Sequence, residues 1–257
     1  MIAVAAVVVL ATMVAERTRP ALAALVATLP LSVGATYVLL ALEQDATFVS
    51  AAALKSVAGA CSTTVFIVAY AYAVLRLRPV PALIVAYLAW LPVAWFVHIV
   101  DWTVATVLAF SVMLMAAAYV STLRLRSLRS LRAAKRYWYD PLIRAGGVAL
   151  LVSVLSGLSD RLGSSGVGTL ANFPIIMSSV GVILHIRMGP EAAAGMLSNA
   201  VAGMVGVCLG LLQVHMTIVP LGAALSLALG LAICVVWNLM LFAIGRRQSA
   251  GAAALRR

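Results

Sequence analysis

The sequence predicts an all-α polytopic membrane protein: nine transmembrane helices, built as two inverted four-helix repeats around one linker helix. Three observations carry this expectation. First, 65% of the 257 residues are hydrophobic and only 10% are charged. A soluble domain of this size needs far more polar sequence to cover its surface. Second, several runs of about 20 residues carry no charge, enough to cross a ~30 Å hydrocarbon core as a helix. No period-2 alternation accompanies them, so the spans are helices that satisfy their own backbone groups in lipid. Third, the chain repeats itself at an offset of 144 residues. Val14-Ala15-Glu16-Arg17 matches Leu158-Ser159-Asp160-Arg161, Ala27-Thr28-Leu29-Pro30 matches Ala171-Asn172-Phe173-Pro174, and Val57-Ala58-Gly59 recurs as Val201-Ala202-Gly203. Further on the offset slips to 142, aligning Val93-Ala94-Trp95 with Val235-Val236-Trp237.

In chain order the apolar runs give helices over 1–15, 20–41, 47–75, 79–100, 102–122, 142–158, 165–186, 190–218 and 219–245. The first four form one repeat (1–100). A linker helix and a basic cytoplasmic loop follow (101–144), then the second repeat (145–245) and a cytoplasmic tail (246–257). With the arginine-rich loop inside, sixteen of the eighteen Lys and Arg fall on the cytoplasmic side; Arg161 lies outside and Lys55 lies in the membrane. That asymmetry sets the N-terminus out and the C-terminus in. A three-plus-one-plus-three arrangement, without the short first and sixth spans, would put Arg246, Arg247, Arg256 and Arg257 outside. Five spans separate equivalent points of the nine-span arrangement, an odd number, so the second copy is inverted. A site near the pseudo-twofold axis of two inverted halves is the usual basis of alternating access.

The net charge of +11 raises the question of nucleic acid. The basic residues sit in short loops between apolar runs, which is the positive-inside pattern, so no nucleic acid is expected. Cys61, Cys208 and Cys234 fall inside apolar runs without metal-ligand spacing and read as small buried side chains. The stretch Met1 to Val14 has no basic residue before its apolar run and reads as a retained first helix. Leu123 to Arg144 sets leucines at 125, 128 and 131 among arginines. It has two readings: an amphipathic helix at an anionic leaflet, or a solvated topology anchor.

Pro30 lies mid-way in the second span and Pro174 mid-way in the seventh, at one repeat position. Proline removes a donor and clashes with the preceding turn, so it kinks or breaks a helix. Thr28 and Asn172 are placed to cap a helix that restarts at each proline. A helix N-terminus there offers free N–H groups and partial positive charge to an anion. Simple kinking is the competing reading. Lys55 stands inside the otherwise apolar third span, costly unless it faces a cavity, a partner or a polar solute. Snorkelling to the outer interface is the alternative. Its repeat equivalent is Asn199, beside Ser198. All seven acids (Glu16, Glu43, Asp45, Asp101, Asp140, Asp160, Glu191) fall at span ends or in loops, which counts against a metal carrier or an acid-driven cation antiporter. His98, His185, Gln213 and His215 share no spacing of a zinc site or catalytic triad. Trp90, Trp95, Trp102 and Trp138 read as interface anchors. Asn238 is placed to hydrogen-bond between helices, and Gly59 and Gly203 to allow close packing at the repeat interface.

One repeat unit resembles small four-helix bacterial inner-membrane proteins of the GlpM type. The likeness covers Glu16–Leu42 and Asp160–His185, with Ala-x-x-Pro at 27–30 and 171–174 as its core. It implies a fused pair of such units in a bacterial inner membrane. Lys55 is not part of that pattern and receives no role from it.

These features lead to the expectation of a secondary transporter for a small anionic or polar solute, bound between Thr28, Pro30, Asn172, Pro174, Lys55, Asn199 and Ser198. Its partners would be the lipid bilayer, the solute and, in the membrane plane, a second copy in a homodimer; no cofactor, metal or enzymatic activity is expected. The alternative is a non-transporting scaffold or accessory subunit of an envelope polysaccharide or lipid assembly, docking through 123–144. A channel lacks a filter sequence, and an enzyme lacks clustered catalytic residues at one face.

Overall fold

The computed structural model describes residues 31–126, 128, 146, 150, 151, 153, 154 and 157–254. Eight helices and no strand occur among them: α1 Leu31–Glu43, α2 Ala46–Ala73, α3 Pro79–Ile99, α4 Val104–Thr122, α5 Ser159–Leu170, α6 Ile175–Met188, α7 Pro190–Leu221 and α8 Ala223–Ala254. Five are long and apolar enough to cross a membrane: α2, α3, α4, α7 and the Ala223–Gly245 part of α8. The pair α5 and α6, bent by 41° at its break, makes a sixth if taken as one span. The chain therefore has the helical, membrane-embedded character that its composition predicts. The first expected span, most of the sixth and nearly all of the basic loop lie outside the described residues.

Most helix limits follow local chemistry. Asp45 caps α2, accepting from the Phe48 amide at 2.7 Å and the Thr47 hydroxyl at 2.5 Å. Those bonds, Thr47 first, hold its carboxyl below the usual range. Pro79 opens α3, where its missing N–H costs nothing. Thr103 and Thr106 form a reciprocal capping box, so α4 begins at Val104 and leaves Trp102 in the connection. Glycines at positive φ, Gly189 (94°) and Gly222 (78°), bound α7 on both sides. The α7 helix thus continues through Pro220 to Leu221, where the sequence predicts a boundary after 218.

The axis of the bundle is α2. Of its most apolar stretch 78% is buried, against 17% for α8. Its middle is a run of small residues, Ala58-Gly59-Ala60-Cys61-Ser62-Thr63-Thr64, all buried. Small side chains let neighbouring backbones approach where lipid offers no hydrophobic drive. The most extensive packing is α2 against α7. The two run antiparallel: Ser50 Oγ donates to the His215 carbonyl (2.9 Å), and Cys208 Sγ faces the Val57 carbonyl. On this pair α3 lies against α2 and α8 against α7; α4 touches both, α5 sits on α2 and α6 on α7. Both α5 and α6 also meet α3, as α1 meets α8.

Gly59 and Gly203, 144 residues apart in sequence, face different neighbours. A Cβ on Gly59 would meet Asn172 Nδ2 and the Gly168 carbonyl at 3.1 Å; on Gly203 it would meet only Asn238 Oδ1, at 3.5 Å. The α7–α8 seam is tighter at Gly206 and Gly210, where an added Cβ would lie 2.7 Å from the Trp237 ring and 2.8 Å from Cys234 Sγ.

Candidate functional site

The break between α5 and α6 is the chemically richest place among the described residues. α5 ends at Leu170, the chain leaves helical geometry through Ala171-Asn172-Phe173-Pro174, and α6 begins at Ile175. Pro174 supplies the physical reason, since it can neither donate nor tolerate the preceding turn. The broken end of α5 is clamped to α2. Ser56 Oγ donates to the Gly168 carbonyl (2.7 Å), Thr63 Oγ1 to the Asn172 carbonyl, and Asn172 Nδ2 to the Ser56 carbonyl (3.0 Å). Tyr37 of α1 adds its hydroxyl to Ser56 Oγ at 2.7 Å. A Cβ at Gly168 would fall 2.5 Å from the Ala52 carbonyl, so the two backbones are in direct contact. Carbonyls freed by the break thus find donors on α2 rather than lipid.

This corrects the expected role of Asn172. It does not cap the helix that restarts at Pro174; Pro174 itself occupies the cap position, with no side-chain bond. A cap needs a side-chain acceptor aimed at first-turn amides. Here the amide NH₂ is turned away, toward α2, and the first amide of α6, Ile175, turns back to the Phe173 carbonyl at 2.8 Å. Ser178, one turn on, donates back to the Pro174 carbonyl (2.6 Å) and meets the Tyr87 hydroxyl at 2.8 Å.

Aromatic rings line the same break. Tyr87 stacks on Phe173 with centroids 5.4 Å apart, and Trp90 meets Phe173 edge-on at 5.2 Å. Phe66 touches both Tyr87 (5.0 Å) and Tyr70 (5.6 Å). Tyr70 in turn packs against α6 at Gly181, where a Cβ would come within 2.3 Å of its ring. Trp90 is buried, not an interface anchor as its residue type suggests; Trp95, by contrast, is exposed. The Trp102 indole donates to the Val97 carbonyl, and Trp138 lies outside the described residues.

The remaining expected site residues are not gathered here. Thr28 and Pro30 lie outside the described residues. Lys55 is buried, and its ammonium donates to the Val100 carbonyl at 2.5 Å, with Asp101 as the neighbouring charge. Asn199 bonds the Gly195 carbonyl of its own helix (2.8 Å) and reaches the Arg126 carbonyl at 3.4 Å. Ser198 donates to the Ala194 carbonyl, also within α7. The pairing of Ser50 with His215 and of Val57 with Cys208 sets the register of α2 on α7. In that register Asn199 stands about eleven residues along α2 from Lys55, or about 16 Å at the helical rise. Lys55 and Asn199, 144 residues apart in sequence, therefore lie at different depths of the antiparallel pair.

Asn238 differs from its expectation too. Its Nδ2 donates to the Cys234 carbonyl within α8, while its neighbour Trp237 makes the interhelical bond, to the Ala202 carbonyl at 2.8 Å. Sequence reasoning missed Ser56, Thr63, Phe66, Tyr70 and Tyr87. One signal was present: Ser56, Gly59 and Thr63 fall on one helical face by their spacing, small and polar together. No group of three or more His, Cys, Asp or Glu able to hold a metal occurs among the described residues. Comparison with protein-family models, curated proteins and solved structures finds no match to this chain.

Proposed function

We propose that the chain is a secondary transporter moving a small anionic or polar solute by alternating access between two inverted repeats. The observation that carries this reading is the interrupted span α5–α6. Its broken backbone is held against α2 by Ser56, Thr63 and Asn172 inside an apolar bundle. Non-helical backbone at membrane depth is tolerated only where protein or a cavity receives it, and transporters place their solutes at such breaks.

The packing supports the inverted relation. α2 and α7, equivalent by the 144-residue offset, run antiparallel, and each carries its successor, α3 or α8, on its flank. The contact of α1 with α8 answers that of α5 and α6 with α3. In this reading the nine-span, N-out arrangement holds, and Pro30 is the sequence counterpart of Pro174 at the 144-residue offset.

A solute-free test is available. Ser178→Cys in a background lacking Cys61, Cys208 and Cys234 places one thiol at the break. Reconstituted in liposomes, it is expected to react with a membrane-impermeant maleimide from either face, in separate experiments. Labelling from one face only, under all solute and pH conditions, would overturn alternating access at this site.

A further inference from the structure

The turn that follows α4 holds a cation folded back on the bundle. The guanidinium of Arg126 lies over the Tyr119 ring, with Cζ 3.7 Å from the ring centroid. Its Nε and Nη2 are buried and have no hydrogen-bond partner. A donor buried without an acceptor costs free energy, and more when it carries charge. A side chain as long as arginine's, at the end of a span, ordinarily extends to water instead.

These two donors meet at one point by covalent geometry. Nε and Nη2 share one edge of a planar group, and that edge is the fork that grips two oxygens of a carboxylate or phosphate. The backbone behind the fork is pinned to α7. The Arg126 carbonyl accepts from Asn199 Nδ2 (3.4 Å), and the Leu128 carbonyl packs where Gly195 leaves no room for a Cβ. The Tyr119 ring holds the guanidinium from its face. Little ordering is therefore left to impose when an oxyanion arrives.

The surroundings choose the anion. Tyr72 of α2 donates its hydroxyl to the Ser121 carbonyl of α4 at 2.5 Å, so Arg76, Arg78, Arg124 and Arg126 share one end of the bundle. The Asn199 contact brings the start of α7, with Arg187 before it, to the same end. Of the described acids, Glu43, Asp45, Asp101 and Asp160 lie at the other end, and Glu191 alone lies here. Glu191 stands about 12 Å along α7 from Asn199 at the helical rise, while the guanidinium turns the other way, back along α4 to Tyr119. Tyr119 is exposed on the flank of the bundle that meets lipid. The end of an apolar span lies at headgroup level, where phosphate is the abundant anion.

We propose that Arg126 is a phosphate-binding residue, its Nε–Nη2 edge taking two oxygens of one phosphate at the end of α4. The side chain is half-buried, so a shift of that one side chain opens the covered edge to the surface. A phospholipid headgroup and a soluble phosphate ester share this chemistry. The site is separate from the α5–α6 break and stands whether or not the chain is a transporter.

The experiment is titration of the full chain in a maltoside detergent, which carries no phosphate. Phosphatidylglycerol binding is read by native mass spectrometry and glycerol 3-phosphate binding by calorimetry, with oleate as the carboxylate control. At least one of the two phosphates is expected to bind. Arg126→Gln and Arg126→Lys should each weaken it about tenfold or more, whereas Arg78→Gln, an equal loss of charge at the same end, should weaken it no more than about threefold. The lysine variant keeps a cation beside Tyr119 and loses the fork, which separates the fork from net charge and from folding. With those losses, binding of the lipid names a headgroup as the source and binding of the ester names a soluble solute; either result supports the site. Binding of neither phosphate, full affinity in either Arg126 variant, an equal loss in Arg78→Gln, or oleate bound as tightly as the phosphates would overturn it.

Discussion

Lys55 shows how much one side chain depends on where its tip lies. Its ammonium sits at the C-terminal end of α3, on a carbonyl that the helix leaves unpaired, with Asp101 close by. A cation is favoured there by the helix dipole as well as by the bond, so the protein itself satisfies the charge that the apolar surroundings of α2 make expensive. If Lys55 also balances solute charge, it must leave Val100 during the cycle. Lys55→Ala is then expected to abolish two-face labelling of a cysteine at Ser178 in liposomes, at unchanged expression. Retained two-face labelling with a lowered thermal midpoint would make Lys55 an anchor and nothing more. The position of this lysine was legible in the sequence, but its partner was not, since the reach of a four-carbon stem spans more than a helical turn. The same limit applies to Asn172. Its place at the break followed from Pro174, but an amide both donates and accepts, and only the packing of Gly59 and Gly168 decides which way it turns.

At the scale of elements, the α2–α7 crossing is the feature that a rocking mechanism must disturb. Cys61 and Cys208 meet there. Both thiols face the Val57 carbonyl, at 3.7 and 3.9 Å, and Cys61 also bonds Ser111 of α4 at 3.4 Å. The sequence alone marks these residues as small buried side chains, which they are. Their juxtaposition across α2 and α7 needed the register of one helix on the other, which no local pattern encodes. Linking them would tie the two long helices at their crossing. Mercuric ion, which bridges paired thiols, is expected to block labelling of a single added cysteine at Ser178 from at least one face when Cys61 and Cys208 are both present. The block should vanish when either is Ala. Equal labelling with and without the pair would mean that the crossing does not move.

For the whole molecule, composition carried the most. Long charge-free runs cross lipid only as helices, so the spans 47–75, 79–100 and 102–122 were readable to within a few residues of α2, α3 and α4. What composition could not supply was depth in the bundle. Trp90 lies on the same helix as exposed Trp95, and only the small neighbours Ala82, Ala86 and Ala94 on its buried face distinguish it. Orientation rests on charge counting, and a direct measurement follows from the fold. Gln44→Cys, beside Asp160, and Leu77→Cys, between Arg76 and Arg78, are expected to react with impermeant maleimide from opposite faces of intact cells and inverted vesicles. Gln44 should react from outside and Leu77 from inside. The reverse pattern would invert the assignment, and labelling of both from one side would refute the number of crossings between them.

The four residues Ala171 to Pro174 have a mechanical position that their chemistry alone does not reveal. The α5 half of the interrupted span is fastened chiefly to α2, the α6 half to α7, and both halves touch α3. Any change in the angle between the two long helices therefore pulls the halves apart or pushes them together, and no continuous backbone ladder spans the gap to resist it. The joint acts as a differential: it turns a small rotation of large bodies into displacement at one short segment. That segment carries Phe173, the ring that both Tyr87 and Trp90 touch.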